Sequence, residues 1–63
     1  MSFAPDEWRR VRKMTQAELG EKLGVHANTI RNWELKPSSI PIEKAVEMAA
    51  AFNVSIDDIN FLP

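Results

Sequence analysis

Asn28, Arg31 and Asn32 are the residues of this chain whose types and spacing can do chemistry. An asparagine carboxamide can pair doubly with an adenine edge, and an arginine guanidinium can do the same with guanine. At about 100° per residue, the three fall on one side of a helix together with Leu35, while Ile30, Trp33 and Glu34 cluster on the other. Asn is a poor helix former because its side chain competes for the backbone. Glu, Lys and Gln are the usual occupants of such a face in a small domain. One exposed Asn reads as solvated surface. Two with an Arg read as a face for base edges.

Other chemistry fails on inventory. The chain has one His and no Cys, and Gly20 and Gly24 are its only glycines, so it holds no glycine-rich phosphate loop. His26 has no second metal-ligand type at a recognisable spacing, which argues against zinc. At the start of its helix it reads either as a polar contact to a backbone phosphate or as a makeshift cap. The adjacent Asp57 and Asp58 diverge by about 100° on a helix and sit in a first turn, where acids are favoured. They read as structural. The inventory is that of a binding protein, not an enzyme, with no cofactor and no metal implied.

The elements that must position the asparagine face begin at Thr15. Thr15 and Glu18 make a T-x-x-E capping box, and Leu19 and Leu23 share a face of the helix that follows. Gly24 can end that helix in the left-handed conformation. Val25, Ile30 and Trp33 carry the apolar pattern into a second helix. Before this pair, Ser2 to Met14 predicts a helix opened by Pro5, with Asp6 and Glu7 in its first turn and Trp8 and Val11 toward the core. Arg10, Arg12 and Lys13 read equally as a solvated helix end or as phosphate contacts. Residues 35–41 form a turn, in which Ser39 is a cap or a phosphate contact. A fourth helix is expected from Pro41 to Phe52, with Ile42, Ala45, Ala49 and Phe52 as its core stripe and Val46 and Met48 beside it. Ser55 and Asp58 then cap a short fifth helix, with Ile56 and Ile59 inward. Phe61 and Leu62 either tuck against the first helix beside Phe3 or form part of a dimer contact.

Thr15-Gln16, Glu18-Leu19-Gly20, Gly24-Val25, Ile30 and Trp33-Glu34 together resemble the helix-turn-helix of the phage repressor and Cro family, the Xre-type bacterial regulators. The resemblance runs over nearly the whole chain. It implies an all-α, compact five-helix bundle, a lambda-repressor-like DNA-binding domain with its helix-turn-helix in helices 2 and 3. Gly20 stands where the family keeps a small residue, usually Ala, at the crossing of the two helices. Arg9 matches a family Arg that pairs with the acid at Glu34. In helix-turn-helix proteins the second helix enters the major groove with its N-terminal residues at the bases. On that geometry Ala27, Asn28, Arg31 and Asn32 are the base-reading residues, with Ala27 offering only a methyl surface. Gln16 matches the family Gln that fixes register on phosphate, and Thr15, His26 and Lys36 are further phosphate candidates. The family commonly dimerises through its C-terminal helix and tail, which would make Ile59, Phe61 and Leu62 a dimer contact. Three positions depart from the pattern. His26 replaces a Ser or Thr cap, Lys36-Pro37 replaces a closing Gly, and the proline before the fourth helix falls one residue late, at Pro41.

Size and charge set the remaining bounds. Sixty-three residues allow one domain spanning residues 1–63, with a modest core that is marginal on its own. No apolar run is long enough to span a membrane and no signal-peptide order is present, so a soluble, cytoplasmic protein is expected. The net charge is −1, but residues 1–36 carry seven Lys and Arg against five acids, and residues 37–63 one Lys against four. That asymmetry suits a molecule with one face toward phosphates. The expected function is a sequence-specific transcriptional regulator, a phage or prophage Cro-like repressor occupying a double-stranded operator as a homodimer. Two alternatives stand beside it. One is a protein-interaction module of the same fold, such as an antitoxin-like partner. The other is the N-terminal domain of a larger repressor.

Overall fold

Each helix starts and stops on a local signal, and the computed structural model, which describes residues 2–62, shows them in order. There are four α-helices among the described residues: α1 (Pro5–Val11), α2 (Gln16–Leu23), α3 (Ala27–Leu35) and α4 (Ile42–Phe52). Single 3₁₀ turns occupy Pro37–Ser39 and Ile56–Asp58. At the head of α1 the Glu7 carboxylate accepts the Ala4 N–H at 2.8 Å. At the head of α2, Thr15 Oγ1 accepts the Glu18 N–H at 3.0 Å while Glu18 Oε1 accepts the Thr15 N–H at 2.8 Å, the capping box the sequence predicts. Hydrogen bonding to the carboxylate by the Thr15 amide first and by its hydroxyl second, with Lys22 adding its charge, holds the Glu18 carboxyl below its ordinary range.

Three helices end by one device. Lys13, Gly24 and Asn53 adopt left-handed backbone, at φ 57°, 72° and 59°. The amide after each one reaches back to the carbonyl five residues earlier: Met14 to Arg9, Val25 to Gly20 and Val54 to Ala49. That closes the Schellman motif and satisfies carbonyls the helix leaves open. It also makes α1 shorter than expected, because Lys13 turns the chain before Met14 is reached. α3 ends differently. Pro37 excludes helical backbone at Lys36, which is extended (φ −140°, ψ 79°). The 3₁₀ turn then closes on the Lys36 carbonyl through the Ser39 amide and hydroxyl, at 2.9 and 2.7 Å.

The core lies where α1, α2, α3 and α4 meet. Leu19, Ile30, Met48 and Phe52 are fully buried, with Trp8, Leu23, Ala49 and Ile59 around them. Trp8 also ties the two ends together. Its indole N–H donates to the Asp58 carbonyl at 2.7 Å, Phe3 packs edge-on at 5.1 Å, and the Arg12 guanidinium lies 5.2 Å over its ring.

Three expectations need correction. Val11 is exposed, not core. On α4 the stripe rotates: Ala45, Met48, Ala49 and Phe52 are buried, whereas Ile42 is 70% and Val46 55% exposed. Two alanines on the buried side let the helix approach closely, and only that orientation brings Met48 and Phe52 inward together. The fifth helix is a single turn. Its Ser55–Asp58 capping box forms, but the chain then runs extended beside the N-terminal segment. Phe3 donates to the Asp58 carbonyl and its own carbonyl accepts from Asn60, at 3.2 and 2.8 Å. An isolated parallel bridge, Phe3 to Ile59, takes the place of further helix.

Candidate nucleic-acid interface

The helix pair is fixed by close backbone approach. A Cβ at Gly20 would sit 2.6 Å from the Val25 carbonyl oxygen, so any larger residue pushes the turn off α2. Gly24 has open space around it and is needed for its positive φ alone. Lys44, on α4, donates from Nζ to the Leu23 carbonyl at 2.9 Å and so caps the end of α2 from another element. That contact spans 21 residues and left no mark in the local sequence pattern.

α3 opens on His26. The Asn28 N–H donates to His26 Nδ1 at 3.0 Å, so the ring does cap the helix. An imidazole that accepts at Nδ1 carries its proton on Nε2 when neutral, leaving one outward donor. On the open side of α3, Asn28, Arg31, Asn32 and Leu35 are exposed, and Leu35 reaches 71%. Ala27 is half-buried. Among the described residues the side chains of Asn28 and Asn32 make no hydrogen bond within the molecule, and Arg31 and Lys36 enter no ion pair. On the inner side Ile30 is fully buried and Trp33 packs against the core. The division of the helix follows its sequence periodicity.

Glu34 is the hub behind that face. Its carboxylate meets Arg9 from α1 at 2.6 Å (Nε to Oε2) and 3.3 Å (Nη2 to Oε1), a bidentate pair whose side chains are 8% and 11% exposed. Arg9 Nη1 also donates to the Met14 carbonyl at 2.8 Å. Gln16 Nε2, at the start of α2, donates to Glu34 Oε1 at 2.9 Å. The Arg9–Glu34 pair is the one the family resemblance implies. The Gln16 contact was not foreseen, because nothing in an 18-residue separation marks it.

The basic run of α1 divides. Arg12 Nε donates to the Phe52 carbonyl at 2.7 Å, which with its stacking on Trp8 makes it structural. Arg10 pairs with Asp6 at 2.8 Å on the surface. Lys13 is exposed.

The tail residues lie elsewhere. Ile59 is buried in the core at 5% exposure, Phe61 is half-buried against it and Leu62 is 73% exposed. Pro63 lies outside the described residues. Beside them opens a groove of about 500 Å³, lined by Pro37, Ile40, Ile42, Ala45, Ile56 and Phe61 among others. No group of three or more metal-ligating side chains occurs among the described residues, and none of their helices is long and apolar enough to cross a membrane.

Comparison with known families bears on this geometry directly: a helix-turn-helix family model matches residues 7–59. The chain belongs to the Xre-type helix-turn-helix family. The match takes in α2, α3 and α4 and most of α1, so this helix-turn-helix domain accounts for nearly all of the described fold. The chain is similar to YobD of Bacillus subtilis (strain 168), named an uncharacterized HTH-type transcriptional regulator, at 31% identity over 51 residues. That alignment covers 81% of this chain and 46% of YobD, so the chain spans about half the length of that relative. No solved structure matches it.

Proposed function

We propose that this helix-turn-helix domain binds double-stranded DNA and serves a transcriptional regulator, laying α3 in the major groove. The observation that carries the reading is the open face of α3. Asn28, Arg31 and Asn32 stand exposed without partners among the described residues, on a helix whose opposite face is locked by Ile30, Trp33 and Glu34. Residues that weaken a helix and form no hydrogen bond or ion pair among the described residues are suited to an external partner with donor and acceptor edges. Asn28, Arg31 and Asn32 then read base edges, and Ala27 offers a methyl surface to thymine. Gln16, Thr15, His26 and Lys36 meet phosphates. His26 suits that role in spite of its capping bond, since Nε2–H remains as the donor.

The finer reading is a Cro-like repressor of phage or prophage origin, cytoplasmic, that occupies its operator as a homodimer. The groove beside α4, lined by Ile40, Ile42, Ile56 and Phe61 together with Ser38 and Asp57, and the exposed Ile42, Val46 and Leu62 support self-association. Two recognition helices on one face of the duplex would sit about 34–36 Å apart. The test is selection of duplexes from a random pool by the purified chain. A palindrome with half-sites one helical turn apart is the expected product. A lone half-site would retain DNA reading and remove the dimer. Recovery of nothing at low salt would turn the reading toward a protein partner, which the net charge of −1 favours. Salt separates the two, because binding through several phosphates weakens steeply as salt rises.

A further inference from the structure

We infer that Glu34 is a positioning residue for DNA binding, acting through Gln16. This rests on the DNA reading above and adds to it a residue that touches no nucleic acid. Glu34 belongs to α3, yet its inward carboxylate gathers donors from two other elements. Arg9 of α1 approaches both oxygens, at 2.6 and 3.3 Å, and Gln16 Nε2 of α2 approaches Oε1 at 2.9 Å. Arg9 also grips the Met14 carbonyl at 2.8 Å, two residues ahead of Gln16 in the chain. The start of α2 is thereby tied to the recognition helix twice, once through the side chain of Gln16 and once through the backbone before it.

The consequence is chemical. A carboxamide nitrogen carries two N–H groups. One is held by Glu34, so the plane of the amide is set and a single N–H remains for a phosphate oxygen. Without an acceptor at Glu34, Gln16 would rotate among staggered conformers and lose rotamer entropy on binding. A carboxylate suits the task better than a neutral group, because hydrogen bonds to an ionised acceptor are about twice as strong. Burial at 8% exposure keeps water from competing for it. The carboxylate thus does two jobs: it neutralises Arg9 in the interior, and it presets a phosphate donor at the surface.

The two jobs can be separated. Glu34→Ala strands Arg9 and may not be used alone, since loss of fold would mimic loss of positioning. The double variant Arg9→Met/Glu34→Leu replaces the buried pair with apolar side chains of similar size, an exchange folds often accept without loss of stability. The experiment measures dissociation constants for a duplex recovered by selection, at fixed salt, for the wild type, Gln16→Ala, Arg9→Met/Glu34→Leu and the triple variant, with thermal melting as the control for folding. Gln16→Ala is expected to weaken binding threefold to tenfold, the scale of one hydrogen bond. The apolar double variant should melt near the wild type and weaken binding by a similar factor. Adding Gln16→Ala to it should then change nothing further, and base preference should persist throughout, since phosphate contacts carry no sequence information. An equal Gln16→Ala penalty in both backgrounds would overturn the assignment, and so would full affinity in the folded double variant. A wild-type chain that binds no duplex would remove the DNA reading and this inference with it, whereas either of the other two failures leaves the DNA reading standing.

Discussion

At the scale of single residues, what distinguishes α3 is the contrast between Glu34 and Asn28, six positions apart on one helix. Glu34 is held by bonds to Arg9 and Gln16 and is nearly buried, whereas Asn28 offers its carboxamide to solvent. Changing each should therefore fail in a different assay. Glu34→Ala leaves the largely covered Arg9 guanidinium without its counter-ion. Because the pair is only part-buried and Arg9 keeps the Met14 carbonyl, the cost is expected near or below the lower end of the about 3–5 kcal/mol of a fully buried pair. A melting temperature equal to wild type would remove the pair from the account of stability. Asn28→Ala should leave melting almost untouched, because its side chain is exposed and makes no hydrogen bond among the described residues. On a selected duplex it should cost about 1–3 kcal/mol of binding and relax preference at one base position. If affinity and preference both survive, Asn28 is solvated surface. The Arg9–Glu34 pair was legible through the family resemblance, and the exposure of Asn28 through helical spacing. The third partner of Glu34 was not, because an amide 18 positions away becomes a neighbour only once α2 and α3 have crossed.

At the scale of elements, the ends of the helices carry testable consequences. Lys13 occupies left-handed backbone at φ 57°, a conformation that costs a residue with a Cβ about 1–2 kcal/mol and glycine nothing. Lys13→Gly recovers that strain and gives back part of it in the entropy of the unfolded chain, so a net gain of about 0.5–1 kcal/mol is expected in chemical denaturation. A loss of stability would mean that the Lys13 side chain contributes more than its backbone costs. The α2 capping box predicts a pH dependence. The Glu18 carboxyl is more acidic folded than unfolded, chiefly through the Thr15 amide and hydroxyl. Its stabilisation is complete above the ordinary carboxylate range and fades as pH falls through the folded value. Glu18→Gln should flatten the acid side of the melting-temperature profile, and an unchanged slope would show that other carboxylates govern it. The Thr15 and Ser55 capping boxes and the stop at Gly24 could be read in sequence because each lies within a few residues of its partner, whereas the stop at Lys13 could not, since lysine carries no signal for left-handed backbone. The face that α4 buries could not. Ile42 and Val46 lie four apart, as do Ala45 and Ala49, and both pairs fit a helical stripe. Which pair turns inward depends on how closely α4 approaches α2. The fifth helix failed for a similar reason: its capping box is local and formed, but continuation lost to the Phe3 segment, 56 residues away along the chain at Ile59.

At the scale of the whole molecule, the decisive surface is the one the rotated α4 leaves uncovered. A chain of 63 residues buries only about 60% of its unfolded surface, and two of the large apolar side chains left outside, Ile42 and Val46, share α4. Ile42 lines the groove with Phe61, and Val46 follows it on the same face of α4. In a two-fold dimer each contact occurs twice, so one substitution is felt twice. Burying an isoleucine is worth about 1.5–3 kcal/mol, and Ile42→Glu should therefore weaken self-association by roughly 3–6 kcal/mol if this groove is the dimer face. Because Ile42 is already exposed, folding of the monomer should hardly change, and circular dichroism melting at low concentration checks that. The reading that matters is made on a palindromic duplex by sedimentation or gel shift. The variant should occupy one half-site with wild-type salt dependence while the two-protomer complex disappears. Should the doublet persist with its cooperativity intact, the recognition helices are paired through another surface, and the exposed face of α4 must be reassigned to a different partner.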